Sequence, residues 1–186
     1  MSKIKLPHAS GNSVSIAAPE SNPAADRTLY LPGNANGTIL SSKFGPSFAA
    51  RNNAAQTITN NTGGIVIQFD TEYFDTDSCY DTSNYRFTPN VAGIYLINCS
   101  IQMASQTGVI SLDIRLNGAR YCNSALNQDG SGLQTVDSSV LVSLNGSSDY
   151  IDTTVYNNSG SDKNTVASPS NNRVSHFSGC YMRGLA

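Results

Sequence analysis

Charge is what the chain has least of. Lys and Arg number 11 and Asp and Glu 13 among 186 residues, and the formal net charge is −2. No Lys/Arg cluster occurs, which argues against a phosphate-binding surface and a nucleic-acid partner. Trp is absent, and Leu, Lys and Glu are scarce beside Ser, Asn and Thr. That bias disfavours helix and favours short strands joined by polar turns. No stretch approaches the roughly 18 consecutive apolar residues that span a bilayer, so no membrane insertion is expected. The opening MSKIKLPHASGNS lacks the apolar core of a secretory signal. Cysteine is confined to Cys79, Cys99, Cys122 and Cys180, with no Cys-x-x-Cys pair, so zinc and redox motifs are missing. Free thiols are the first reading, with Cys99 and Cys180 as small buried hydrophobes in strand-like runs, and two disulfides the alternative.

Hydrophobic residues nevertheless make up 39% of the chain, enough for one packed domain with an appendage. The pattern divides near residue 45, into an N-terminal attachment arm over residues 1–45 and a head over residues 46–186. In the arm, Ile4-Lys5-Leu6, Val14-Ser15-Ile16 and Thr28-Leu29-Tyr30-Leu31 are separated by Pro, Gly, Asn and Ala. Each burst suits a strand of a few residues, and together they cannot bury a core. The arm must dock on something or intertwine with its own copies. Leu6, Val14, Ile16, Leu29 and Leu31 are its expected docking anchors.

In the head, longer strands recur between turn signals. Residues 64–69 read as one and Arg86-Phe87-Thr88 as a shorter one. Between Gly93 and Met103 the residues Tyr95, Ile97, Cys99, Ile101 and Met103 alternate with Asn98, Ser100 and Gln102, as a half-buried strand requires. Residues 109–116 place Ile110, Leu112, Ile114 and Leu116 inward, and Asn117-Gly118 supplies a hairpin turn. Val140, Val142 and Leu144, then residues 150–156, then residues 175–182 complete at least seven strands. The predicted class is all-β, a sandwich or jelly roll. Phe69, Phe87, Tyr95, Ile97, Ile114, Leu144 and Phe177 are the expected core and trimer residues.

From residue 46 to 182 the sequence resembles the globular head of complement C1q and its tumour-necrosis-factor-like relatives. Pro46-Ser47-Phe48-Ala49-Ala50 is similar to the family's Pro-x-Phe-x-Ala opening, and residues 80–88 to its Tyr-Asp-x-x-x-Gly-x-Phe segment, with Tyr85 in place of Gly. Val91-Ala92-Gly93-Ile94-Tyr95-Leu96-Ile97 resembles Val-x-Gly-x-Tyr-x-Phe, apart from its last residue. Residues 112–119 look like the strand that ends in Asn-Gly. Val142-Ser143-Leu144 with Gly146 resembles Leu-x-Leu-x-x-Gly-Asp, with Ser147-Ser148 inserted before Asp149. Phe177-Ser178-Gly179-Cys180 resembles the closing Phe-x-Gly-Phe strand. The resemblance implies a ten-stranded jelly roll that assembles as a homotrimer through one sheet face, and recognition rather than catalysis. Residues 3–13 and 28–32 are similar to segments of marine tailed-phage tail-fibre and other virion structural proteins.

The residue types for chemistry are thin. His8 and His176 are the only histidines, and no Gly-x-Ser-x-Gly elbow offers a nucleophile. Asp70, Glu72, Asp75, Asp77 and Asp81 read first as a solvated loop, second as holding Ca²⁺ near the three-fold axis, and third as a glycosidase pair. Tyr73, Phe74, Tyr80 and Tyr85 read as packing against a neighbouring subunit, with sugar stacking the alternative. Residues 157–172 read as a long exposed loop without an apolar anchor. No catalytic residue, resident metal or cofactor is expected. The sequence points to a non-enzymatic phage virion protein, assembled in the host cytoplasm. A trimeric head on the tail (fibre, spike or baseplate tip) would contact a bacterial surface glycan, with other virion proteins holding the arm. A capsid decoration knob and a stand-alone C1q-type binding module are the alternatives.

Overall fold

The computed structural model describes residues 3–7, 10–11, 13–17, 45–104, 108–128, 132–169 and 173–184. The chain forms two compact units, Met1–Leu40 and Ser41–Ala186.

The first unit holds β1 (Lys3–Pro7) and β2 (Ser13–Ala17), which pair antiparallel with Ile4 opposite Ile16 and Leu6 opposite Val14. The first two bursts satisfy each other's inner edges within one chain. Leu29 and Leu31 lie outside the described residues.

The second unit is a jelly-roll sandwich of thirteen described strands, more than the ten expected, because several are two-residue pieces. They are β3 (Ser47–Arg51), β4 (Thr57–Ile58), β5 (Ile65–Val66), β6 (Thr71–Asp75), β7 (Tyr80–Asp81), β8 (Arg86–Phe87), β9 (Gly93–Met103), β10 (Gly108–Leu116), β11 (Ala119–Gln128), β12 (Gln134–Leu144), β13 (Ile151–Asn158), β14 (Lys163–Asn164) and β15 (His176–Arg183). One sheet runs β11-β10-β13-β8-β7 with β5 also on β13; the other runs β12-β9-β15-β3-β6. β4 and β14 form a small separate ladder.

Alternation decides which sheet face is covered. In β9 every apolar odd-numbered position from Tyr95 to Met103 is buried, and β10 buries Ile110, Leu112 and Ile114 from the opposite sheet. Asn117 and Gly118 both take positive φ, 53° and 79°, as the tight β10–β11 hairpin demands. The middle of the core is aromatic. Phe48 stacks on Tyr80 at 4.8 Å and on Phe87 at 4.4 Å between ring centroids, and meets Phe177 edge-on at 4.9 Å. Tyr95 links this cluster to Tyr181, and its hydroxyl donates to the Val91 carbonyl at 2.6 Å.

Two segments differ from expectation. Only Ile65 and Val66 of residues 64–69 join the sheet, because Ile67 and Phe69 turn inward as the chain leaves β13. Residues 157–172 are not simply an exposed loop: Asn157, Thr165 and Ser168 are buried, so polar rather than apolar groups anchor the segment. Asn157 donates to the carbonyls of Ile58 and Ser161, both at 2.9 Å. The Ser168 hydroxyl accepts from the Ser175 amide at 2.7 Å and donates to its carbonyl at 2.8 Å. Ser168→Ala is therefore expected to strand two buried backbone groups and cost about 1–3 kcal/mol, read as a lower urea midpoint.

Candidate functional site

The two outward faces of the sandwich differ in how their side chains are satisfied. On the six-stranded sheet, Arg115 makes a bidentate pair with the fully buried Asp152, both contacts at 2.7 Å. Arg86 lies 3.7 Å from the same carboxylate and stacks 4.1 Å over the Tyr150 ring. Arg120 pairs with Asp113 at 2.9 Å, and the Asn123 amide also donates to that carboxylate. The charges of this face are thus partnered within one chain.

The five-stranded sheet faces outward with a layered pattern that only strand register reveals. Asp137 of β12 stands opposite Ser100 of β9, Ser100 opposite His176 of β15, and His176 opposite Arg51 of β3. The next row is Ser139, Asn98, Ser178, Ala49 and Phe74; the row after it is Leu141, Leu96, Cys180 and Ser47. Leu141 is 56% exposed, Met182 54% and Phe74 48%, while Leu96 and Ile94 are half-buried. A polar and charged end thus grades into an apolar middle, and these apolar side chains have little cover from their own chain.

An open hollow of about 480 Å³ sits at the polar end, lined by Asn98, Ser100, Asp137, Ser139, His176 and Ser178 together with Cys99, Ser138, Cys122 and Ser124. Ser, His and Asp are gathered here, but in the wrong order for proton relay. Ser100 lies between Asp137 and His176, whereas a relay needs the imidazole between the carboxylate and the nucleophile. The Ser100 hydroxyl instead approaches the Val174 carbonyl at 3.5 Å. Burial pushes the Cys99 thiol far above its ordinary range, so it stays protonated. The hollow offers hydroxyls and amides for hydrogen bonding, and its second thiol, Cys122, lies 3.4 Å from the Ser138 hydroxyl rather than beside a base.

The acidic residues do not gather into a site. Asp70 accepts from the Asn53 amide at 2.8 Å, Asp75 from the Tyr80 amide at 2.7 Å, and Asp77 from the Thr76 hydroxyl at 2.8 Å. The Ser83 hydroxyl, helped by the Ser83 and Asn84 amides, holds the Asp81 carboxyl below its usual range. Glu72 is exposed on β6. Among the described residues no three acidic, Cys or His side chains converge as a metal-ligand set. The aromatic residues also separate. Tyr80 is buried against Phe48 in its own chain, contrary to the expected packing on a neighbour, and burial raises its hydroxyl's pKa. Tyr73 lies under the guanidinium of Arg173 at 4.1 Å and near Arg51 at 5.7 Å. Tyr85 sits at φ 60°, the left-handed conformation suited to the glycine it replaces.

All seven expected core and trimer residues, Phe69, Phe87, Tyr95, Ile97, Ile114, Leu144 and Phe177, have 0% exposure within a single chain. They build the sandwich interior and present nothing to a second subunit. Phe48, the hub of the aromatic cluster, escaped the sequence reading, although its Pro-x-Phe-x-Ala setting marked it. The row from Asp137 to Arg51 left no sequence signal at all, because its members come from four distant strands. The four cysteines are free thiols; Cys99 is buried, whereas Cys180 is only half-buried, on the outward face.

A family profile described as the C1q domain matches residues 47–182. The globular domain of zebrafish complement 1qA protein superposes with a TM-score of 0.56 at 13% identity, covering 75% of this chain and 99% of that one. Eiger TNF from S. frugiperda gives 0.57 at 10% identity, covering 76% and 96% of the two chains. Murine APRIL at pH 5.0 gives 0.57 at 9% identity, covering 74% and 99%. No curated protein sequence matches the chain.

Proposed function

The chain belongs to the C1q domain family, and from that membership we propose a trimeric, non-enzymatic binding head carried on a tailed-phage virion by its N-terminal arm. The observation that carries the trimer is the contrast between the two outward faces. One has its guanidinium–carboxylate pairs closed within the chain, while the other leaves Leu141, Met182 and Phe74 exposed beside small residues such as Ala49, Ser47 and Ser178. Apolar side chains of that size, grouped on one sheet, are suited to a second surface of the same protein. An obligate seam of about 2,000 Å² or more is expected. The virion placement, on the tail and facing a host glycan, is supported by the likeness of residues 3–13 and 28–32 to tail-fibre segments.

Sedimentation equilibrium of the full chain at micromolar concentration should give three times the 19.7 kDa chain mass. A stable monomer would overturn the trimer. Gold-labelled antibody against the head should decorate the tails of intact particles, and labelling of the capsid alone would move the protein there. The stand-alone module is the second reading, favoured by the β1–β2 pairing that one chain completes unaided. Removing residues 1–45 separates the two. A trimeric head lost from particles supports the attachment role; one still incorporated at full occupancy overturns it.

A further inference from the structure

The charges left over on the five-stranded face form a pattern. Asp137, on edge strand β12, is exposed, and its carboxylate makes no hydrogen bond or ion pair with any described residue. At the other end of the same row stand two guanidiniums with no carboxylate partner among the described residues. Arg51 is bonded to Asn53 Oδ1 and the Ser168 carbonyl, and Arg173 is exposed with its guanidinium over the Tyr73 ring. From Asp137 to Arg51 the row crosses three inter-strand steps, roughly 14 Å, too far to pair within one chain. Elsewhere in the head the guanidiniums of Arg86, Arg115 and Arg120 do find carboxylates, while Arg183, exposed at the far end of β15 and away from this row, has none among the described residues. The carboxylate and the two guanidiniums are set apart at opposite ends of the face that also carries exposed apolar side chains.

A cyclic trimer brings two different patches of the same surface together at every seam, so groups of opposite sign on separate parts of one face can meet three times over. We propose that Asp137 of one protomer pairs with Arg173 and Arg51 of the partner subunit, and that this pairing fixes the register in which the sheet faces meet. The apolar middle supplies the bulk of the contact, and it tolerates sliding. A charge pair flanking it does not, because a displaced register leaves both charges desolvated and unpaired. The imidazole of His176, between the two ends of the row, has its Nδ1 at 3.3 Å from the Arg173 carbonyl.

The inference rests on the trimer proposed above, and one experiment separates the two. Subunit exchange between light and heavy-isotope trimers, followed by native mass spectrometry, reads the seam directly. Arg173→Asp is the preferred cation variant, since Arg173 is exposed and its one described contact from the side chain is a ring, whereas Arg51 also holds the Ser168 loop. Asp137→Arg and Arg173→Asp, made singly, should each speed exchange about tenfold or more, and the double reversal should return it toward the wild-type rate. Raising salt from about 0.05 M to about 0.5 M should speed wild-type exchange and leave Asp137→Ala less affected. A wild-type monomer would overturn the trimer itself. A wild-type trimer with neither reversal altering exchange, or with the double reversal no better than the singles, would overturn the pairing and leave the trimer standing.

Discussion

Phe48→Ala is expected to destabilise the head by about 3–5 kcal/mol per subunit, the range for emptying a large aromatic from a closed core. Phe48 is 1% exposed and touches three other aromatic rings, two of them stacked and one edge-on. Each such pair adds about 0.5–1.5 kcal/mol beyond the area buried. Relaxation into the vacated space is blocked on one side. A Cβ at Gly179, across the β3–β15 pair, would lie 2.8 Å from the Phe48 ring, so the ring itself fills the room where a side chain would stand. Gly179 has no side chain of its own to fill it. Thermal unfolding by circular dichroism should show a loss on the order of 10 °C. Phe48→Leu should recover part of it. An unchanged melting temperature would mean that this aromatic cluster does not form the centre of the core.

Gly146→Ala carries the second large effect, about 2–5 kcal/mol, from two sources at one position. Gly146 turns the chain between β12 and β13 at φ 70°, where an alanine is strained. Its added Cβ would also fall 2.2 Å from the Ala92 amide nitrogen and 2.5 Å from the Val91 carbonyl carbon. Those are backbone atoms, and the Val91 carbonyl is already held by the Tyr95 hydroxyl. Neither side can give way by a rotamer change. Gly160→Ala separates the two sources, since Gly160 sits at φ 86° and a Cβ added there would meet nothing within 4 Å. It should cost only the conformational part, about 1–2 kcal/mol. Equal urea midpoints for the two variants would show that the close approach to Ala92 contributes nothing.

Strands that bury one face in the middle of a sheet could be read from their residues. In β9 and β10 the apolar positions alternate without interruption, and register, hairpin turn and inward set follow from that pattern. β11 could not be read so. Its inward positions are Cys122, Ser124 and Leu126, small or only half-buried, because the strand lies at the sheet's edge. β6 was obscured for a different reason: Glu72 and Asp75 gave it the look of an acidic loop, yet Ala49 and Phe48 of β3 pair with Phe74 and Asp75. The buried polar anchors Asn52, Asn157 and Ser168 were illegible in principle, since a polar side chain is satisfied by whatever the fold brings to it. The candidate seam shares that limit. Asp137 and Arg173 read as two scattered surface charges until the pairing of β12, β9, β15 and β3 puts them at opposite ends of one face.

The position of β15 also governs how the molecule comes into being. The last strand in chain order is the middle strand of its sheet, bound to β9 on one side and β3 on the other. Until synthesis passes residue 183, the β12–β9 pair and the β3–β6 pair are separate fragments, each with an unsatisfied edge. Such edges are sticky toward any neighbouring strand, and polysomes hold many nascent copies close together. Closure then requires contacts between the first and last strands of the head, which places the domain among slow, high-contact-order folders. Maturation of the head therefore waits for β15, whose insertion between β9 and β3 zips the two half-sheets together.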